Sequence, residues 1–598
     1  MLEVRLFSGA PLLIIQFYNL VKYLKLSKKQ RRGKVELLNK TDHEGLKQTI
    51  TESVYQYLKE KGIEIDAIPA IILTTPKERV HGHLSTNIAL QLSGMVSNNA
   101  REIAQFIVKE LKKSNEEVFD KIEIAGPGFI NFYFKKDLLY TVLHEITAEK
   151  NKFGYSDIGK GEKILLEYVS VNPTGPLHVG HGKCAAVGDS LSKILKAAGY
   201  RVSTEYYIND HGKQMDVLGQ SVLVRYRQLL GEMLEFPENG YQGDYIIALA
   251  REVLDKYGIE FKGKDDFETI QFFKSYAQQR ILQDIKEDLA LFGVEFDNWF
   301  SEESLFTQNK VYPVVDRLRQ EGFIYLDKGA LWFKSTDFGD EKDRVVTRAN
   351  GEAAYFASDI AYHDDKYKRG FKTLIDIWGS DHHGYINRVK AAIQALGYSR
   401  DSFQVLLVQF VTLVRAGKTV GMSTRGGQFV TLKDLLKEVG KDVARYFFLM
   451  HSHDSHTEFD LDIAKSQSLE NPVFYIQYAY ARICSIIKKG ETNNIALNDT
   501  GKEQIDLKLL DKKEELEILK KLINFKKIVE RSAIQRKPYL IAGYLHELAS
   551  LFHKYYTEHK VITRDKKLSE ARLYLISSVK IVLENALSLL GIDAPEKM

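Results

Sequence analysis

Cysteine is almost missing from this chain of 598 residues, and the two present, Cys184 and Cys484, stand 300 positions apart. That spacing excludes a disulfide framework and any CxxC metal site, so a reducing, cytoplasmic setting and no protein-bound metal are expected. Proline is scarce as well, with 11 residues, which argues against long polyproline linkers. Charge of one sign is nearly cancelled: 84 Lys+Arg face 80 Asp+Glu, a net +4, where phosphate-binding proteins usually show a heavier basic footprint. The apolar run near the start, PLLIIQFYNLV, is interrupted by Gln16 and Asn19 and followed by Lys22. It is too short and too polar for a membrane span, so no membrane partner is expected. A signal peptide would carry its charges ahead of the apolar core, whereas here KLSKKQRRGK comes after it.

What is present points to large folded domains. Hydrophobic residues make up 44% and aromatics 11%, which excludes a disordered or fibrous chain, and the length suits about four domains. The net charge is unevenly placed. Residues 1–42 hold nine Lys/Arg against three Asp/Glu and read as a basic extension outside the folded protein, either an amphipathic helix or an extension from an upstream start. Residues 441–598 hold 25 Lys/Arg against 22 Asp/Glu, which leaves 43–440 acidic. Lys520, Lys521, Lys526, Lys527, Arg531, Arg536 and Lys537 meet only Glu530 between 520 and 537. Such a cluster suits a phosphate backbone or a plain solvated helix face.

Periodicity divides the chain. LKQTITESVYQYLKEKG from Leu46 has helical apolar spacing and stops at Gly62, and IEIAGPGFINFYF alternates around Gly126-Pro127-Gly128 as a hairpin would. Residues 43–150 therefore read as a small α+β domain. In KILLEYVSVNPTGPLHVGHGKCAAVGDSLSKILKAAGYRVSTEYYIN an apolar strand, a Pro/Gly loop, a helix and a second strand follow in order, a βαβ unit that demands a parallel sheet. Residues 151–440 read as this α/β domain. From 441 to 598 apolar residues recur every three or four positions, as in a helical bundle.

The sharpest motif is Pro173-Thr174-Gly175-Pro176-Leu177-His178-Val179-Gly180-His181-Gly182, between the first strand and its helix. A helix N-terminus offers unpaired N–H groups and partial positive charge to an anion. Gly180 and Gly182 leave room for a base or phosphate, and ligands of open parallel sheets bind at the carboxyl ends of strands. HxGH alone would serve any nucleotidyl transfer.

With its neighbours, the motif resembles the HIGH signature of class I aminoacyl-tRNA synthetases, and the arginyl-tRNA synthetase family in particular. EYVSVNPTGPLHVGH, YINDHGKQ, AYFASDIAYH and IWGSDHHGYI match that family in order, and DVARYFFLMHSHDSHTEFDLDIAKSQSLENPVFYIQYAYARI is similar to its DALR-bearing segment. The likeness runs from about Gly45 to Met598. It implies a multidomain class I architecture: a Rossmann-type α/β catalytic core, a small α+β N-terminal domain contacting the tRNA elbow, and an all-α C-terminal anticodon-binding bundle. It also implies an ATP-dependent ligase that forms arginyl adenylate and transfers arginine to the terminal adenosine of tRNA(Arg). Mg²⁺ would come with ATP, and a cytoplasmic monomer is expected.

The resemblance assigns roles residue by residue. His178 and His181 would bond the α-phosphate and adenosine, with Pro173, Leu177, Gly180, Asp381, Met422 and Ser423 also around ATP. Ser170 and Asn172 would hold the arginine α-amino group, Tyr355 and Asp359 its guanidinium, Glu167 a second negative charge, and His382, with His181, the arginine amino end. A planar five-donor cation asks for a carboxylate partner. The family's KMSKS loop departs here to Val420-Gly421-Met422-Ser423-Thr424-Arg425, without either lysine, so Arg425, backed by Lys418 and Arg415, is the expected cation at pyrophosphate. Ser85 and Asn87 are candidates for the tRNA elbow, each also suited to an N-cap. Tyr478 and Tyr556 are candidates for stacking on unpaired bases. His451, His453 and His456 lack regular ligand spacing and are not read as zinc ligands. Two alternatives stand beside this reading: another class I synthetase or a nucleotidylyltransferase, or an inactive, tRNA-binding paralogue.

Overall fold

A computed structural model describes residues 43–74, 76, 81–114, 118–420, 430–495 and 505–598. The basic extension 1–42 and the KMSKS-like residues 421–429, with Met422, Ser423 and Arg425, lie outside the described residues. The chain divides into two compact units. One takes in residues up to 148 together with 490–523 and 561–575, and the other holds 149–489, 524–560 and 576–598.

In the first unit, α1 (His43–Lys61) buries Leu46, Ile50, Val54, Tyr57 and Leu58. Their spacing of three and four makes one apolar stripe, and Gly62, at φ +64°, takes the left-handed position after the helix end. β1 (Leu84–Thr86) leads into α2 (Ile88–Val96) and α3 (Ala100–Ser114). The expected hairpin forms as β2 (Phe119–Ala125) and β3 (Phe129–Phe134), antiparallel, in a sheet of order β1-β3-β2. Helices and sheet share one core around Ile88, Ile107, Ile130 and Phe132.

The second unit is built on β4 (Lys163–Glu167), α4 (Val179–Ala197), β5 (Arg201–Ile208), β6 (Asn298–Ser301), α5 (Tyr355–Lys368), β7 (Thr373–Gly379) and β8 (Phe403–Val408). Its five strands pair in parallel in the order β8-β7-β4-β5-β6. β4 reads KILLE and is buried at four of five positions, as a central strand covered on both faces must be. The chain winds one way from β4 to β6 and resumes on the other side at β7. The carboxyl ends of β4 and β7 therefore flank a switch point, the usual ligand crevice of such sheets.

Beyond β8, β9 (Val411–Arg415) pairs with Lys418–Thr419 and, after α6 (Lys441–Leu449), with β10 (Thr457–Asp460). This short strand interrupts a region that periodicity alone reads as all helix. TEFD alternates buried and exposed side chains, and its ladder partner lies more than forty residues earlier. The remainder is helical, including α7 (Pro472–Thr492) and α8 (Tyr539–Glu558). Lys566–Leu590 is long and apolar enough by composition to cross a membrane, but 67% of its apolar window is buried in the fold.

Candidate active site

The backbone leaving β4 is strained where it meets the crevice: Val169 and Ser170 have φ of +68° and +44°. Consecutive non-glycine residues there, one of them β-branched, persist only when their surroundings hold them. Those surroundings are visible. The Tyr206 hydroxyl donates to Val171 O at 2.8 Å and accepts from Val171 N at 3.1 Å, while Ser170 Oγ accepts from Tyr207 N at 3.1 Å and donates to Glu167 Oε1 at 2.9 Å. Asn172 Nδ2 donates to Gln214 Oε1 at 2.7 Å, joining the NPTGP loop to the YINDHGKQ segment.

Glu167 is buried, and its other oxygen meets Lys366 Nζ at 2.5 Å. Its negative charge is thus balanced inside the protein and is not offered to a ligand, which corrects the expectation of a second charge facing arginine. Glu167 acts on the crevice through Ser170. Register explains the pairing: Glu205, Glu167 and Asp376 lie side by side across β5, β4 and β7. Lys366 bridges Glu167 and Asp376, Arg369 binds Glu205 through two bonds of 2.6 and 2.8 Å, and Tyr362 also donates to Glu205. All three partners come from or just after α5, at spacings that form one helical stripe. The same stripe begins with Tyr355 and Asp359, so the buried ion network docks the helix that carries them.

Asp359 accepts a very short hydrogen bond from the Tyr385 hydroxyl, and burial raises its pKa. Tyr355 is 53% exposed at the helix start, its hydroxyl beside Gly212. Beside them lies a residue that sequence reasoning passed over. Glu302 is 3% exposed, accepts from Ser358 Oγ at 2.7 Å through Oε1, and holds Oε2 buried beside the Tyr207 hydroxyl without a well-formed hydrogen bond. Burial, with Asp359 adding to it, pushes its carboxyl up to about 7. Its only trace in the sequence is an acid directly after a strand, in NWFSEES, which nothing distinguishes from a surface helix start. Tyr207 completes this cluster of acids and hydroxyls, its pKa raised by burial and by Glu302, Asp359 and Glu167.

Across the crevice, His178 caps α4. Its Nδ1 accepts from Gly180 N at 3.1 Å, and His181 Nδ1 accepts from His178 N at 3.2 Å, a reciprocal capping box made of two imidazoles. The rings stack with centroids 3.4 Å apart. Since both Nδ1 atoms accept, each neutral ring carries its proton on Nε2, and burial lowers both pKa values, His181 the more. Two neutral donors therefore sit at the positive end of a helix. Gly182 serves packing instead of ligand access, because a Cβ there would meet Leu432 at 2.8 Å and Phe448 at 3.1 Å. Leu177 is fully buried and contributes through its carbonyl, which accepts from Leu432 N at 2.8 Å; Pro173 is buried too. Asp381 and His382, with side chains 62% and 64% exposed, stand at the end of β7 and form no helix cap.

The remaining candidates are spread more widely. Arg415 is spent on Glu438 at 2.6 Å, while Lys418 is exposed. Ser85 is sealed within β1 at 8% exposure, so it cannot face RNA as it stands; Asn87 holds the N-cap position of α2 without a side-chain cap bond, and Thr86 Oγ1 accepts from Ile88 N instead. Tyr478 and Tyr556, from α7 and α8, converge on Arg482, whose guanidinium carbon lies 4.4 and 4.7 Å from the two ring centroids. In the basic cluster, Arg536 turns back to cap Ala533 and Ile534 carbonyls.

Comparison with known proteins matches this architecture in three stretches. Residues 46–134 match the arginyl tRNA synthetase N terminal domain, 142–448 the catalytic domain of class I (R) tRNA synthetases, and 476–598 the DALR anticodon binding domain. The chain is 49% identical over 531 residues to an arginine–tRNA ligase of Desulforamulus reducens, covering 89% of this chain and 94% of that one. It is 46% identical over 553 residues to that of Syntrophotalea carbinolica, covering 92% and 99%. In fold it resembles the Thermus thermophilus arginyl-tRNA synthetase, with a TM-score of 0.68 at 21% identity over 92% of this chain and 100% of that one.

Proposed function

The chain belongs to the arginyl-tRNA synthetase family, and from that premise we propose how its own residues divide the work of an ATP-dependent arginine–tRNA ligase. One observation carries the assignment of the amino-acid pocket: the buried Glu302 and the half-buried Asp359 bring two carboxyls together beside Tyr207, one with an oxygen that no well-formed hydrogen bond satisfies. A buried acceptor without a donor is costly, and a guanidinium supplies donors in a planar fork that a lysine ammonium cannot copy. Tyr355 covers the pocket mouth. Ser170 and Asn172, held by Glu167 and Gln214, take the α-amino group, with His382 at the amino end.

In the first step the arginine carboxylate attacks the α-phosphorus of ATP and pyrophosphate leaves. Negative charge builds on the α-phosphate oxygens, and the Nε2–H groups of His178 and His181 donate to it without having to lose a proton. Phosphoryl and nucleotidyl transfer draw chiefly on such positioning and electrostatics. The main chain around Gly180 and the exposed Asp381 flank adenosine. Arg425, supported by Lys418, stands for the missing loop lysines at pyrophosphate. Mg²⁺ would arrive with ATP on its phosphates. In the second step a hydroxyl of the terminal adenosine of tRNA takes the arginyl group and AMP leaves. Residues 441–598 bind the anticodon side, where Tyr478, Arg482 and Tyr556 form a stacking surface, and 43–150 with Asn87 the elbow. A cytoplasmic monomer suits these substrates, and sedimentation equilibrium tests the oligomeric state.

The decisive assay is ATP–pyrophosphate exchange with tRNA present. Glu302→Gln is expected to raise the KM for arginine on the order of a hundredfold, equivalent to about 3 kcal/mol for breaking a buried charged hydrogen bond, with the KM for ATP unmoved. An unchanged arginine KM would remove Glu302 from the pocket.

A further inference from the structure

Lys183 lies five residues after His178 on α4 and is fully buried, yet no carboxylate among the described residues forms an ion pair with it. Its ammonium donates to three uncharged acceptors: Gln409 O at 3.2 Å, Ser455 O at 3.0 Å and Thr457 Oγ1 at 2.9 Å. Lys366, also fully buried, faces two carboxylates. A buried cation without a counter-charge is expensive, and burial drives Lys183 down to about 8, with Cys184 and Asp454 offsetting part of the fall. A leucine or methionine would fill the same space at no such cost, so the three bonds call for an explanation.

The acceptors share a location. Gln409 and Phe410 link β8 to β9, and Val411 pairs in register with Thr457 at the start of β10. Thr457 N donates to Phe410 O at 3.3 Å, and Gln409 N to His453 O at 2.9 Å. Lys183 thus grips the point where β9 and β10 begin side by side, and ties it to the first turns of the helix that starts at HVGH. At this junction Phe410 is 63% exposed, a large apolar ring standing in solvent.

We propose that Lys183 is a positioning residue for ATP: it holds the β9–β10 junction, with Phe410, in register with His178 and His181, so that the nucleotide spans two elements locked together by one side chain. The inference rests on the reading above that the HVGH end of α4 binds ATP. Three N–H groups matched by three acceptors from two chain segments define both the distance and the orientation of the junction. A neutral, non-donating side chain would leave the same helix packed but the junction free to shift.

Exchange assays with tRNA present test this on the full chain. Lys183→Met is expected to raise the KM for ATP about tenfold while kcat and the KM for arginine stay within about threefold. Thr457→Val, which removes one acceptor and keeps the lysine, is expected to raise the ATP KM about threefold, and Thr457→Ser to restore it. If circular dichroism shows that Lys183→Met does not fold, the Thr457 pair decides alone. An ATP KM that does not move, or ATP and arginine KM values that rise together, overturns the proposal. His181→Ala in the same assay separates the two readings: if it abolishes exchange while Lys183→Met and Thr457→Val are silent, only the present inference falls, and if it is silent too, the ATP site itself is misplaced.

Discussion

Glu302 and the paired histidines respond to pH in opposite ways. With its carboxyl near 7, Glu302 is substantially protonated in the free enzyme at pH 6, and arginine must expel that proton to bind. The arginine Kd is therefore expected to weaken as pH falls below about 7, approaching tenfold per unit, and Glu302→Gln to flatten the profile. Equilibrium dialysis between pH 5.5 and 8 reads it directly. Folding stability runs the other way for this group. A carboxyl raised above its unfolded value stabilises the fold below the folded pKa, and that contribution fades as pH rises toward 7. His178 and His181 are lowered by burial, so the unfolded chain binds more protons below its histidine value and acidification destabilises the fold through them. As neutral donors they give no titration step in kcat for exchange between pH 7 and 8, and replacing His181 with Ala should cut kcat by about 10² to 10³. The histidines were legible in the sequence because their spacing and loop form a motif. The role proposed for Glu302 was not, because it rests on burial beside Asp359, which lies on another element.

At the scale of elements, α4 does the most to shape the site. Its start positions the histidines, its fourth residue, Gly182, must be glycine against Leu432 and Phe448, and its middle holds Gly188 against Tyr168. A Cβ on Gly188 would lie 2.2 Å from the Tyr168 ring, which is 1% exposed and packed 4.4 Å, centroid to centroid, on Phe296. Gly188→Ala is therefore expected to cost at least about 2 kcal/mol of stability, toward the upper end for overpacked cores. Because Tyr168 directly precedes the strained Val169 and Ser170, the arginine KM should rise as well; thermal melts and exchange kinetics on one preparation test both. The helix, its flanking strands and the first-unit hairpin could be read from periodicity. β10 could not, since a four-residue strand has no pattern to distinguish it from a helix until its partner is known.

Across the second unit, Arg445 ties together segments that are far apart in sequence. Fully buried, it donates to Leu590 O at 2.7 Å and Phe292 O at 3.2 Å and forms a very short ion pair with Asp189 of α4. Gly591 leaves it room, since a Cβ there would lie 2.4 Å from the guanidinium. Arg445→Met leaves Leu590 O, Phe292 O and Ser190 Oγ without its N–H groups and Asp189 with Lys193 alone, and breaking a buried pair in this way costs up to roughly 3 to 5 kcal/mol. Denaturant unfolding should show that loss with its midpoint moved well down, and a midpoint unchanged would mean that water or Lys193, already 2.6 Å from Asp189, takes over.

Order along the chain was settled by sequence alone: an α+β start, a βαβ core opening on HVGH, a mostly helical end, and the family they belong to. These follow from local periodicity and from short motifs whose residues are neighbours in the chain. Only the tertiary structure decided which acids are left short of a partner and which are consumed internally. Glu167, Glu205 and Asp376 come into register only when three strands align, so Lys366 and Arg369 claim them. Glu302 becomes the unsatisfied acceptor only because the fold buries it beside Asp359. Charge is a long-range quantity whose meaning depends on distance and dielectric, and neither is written in the order of residues.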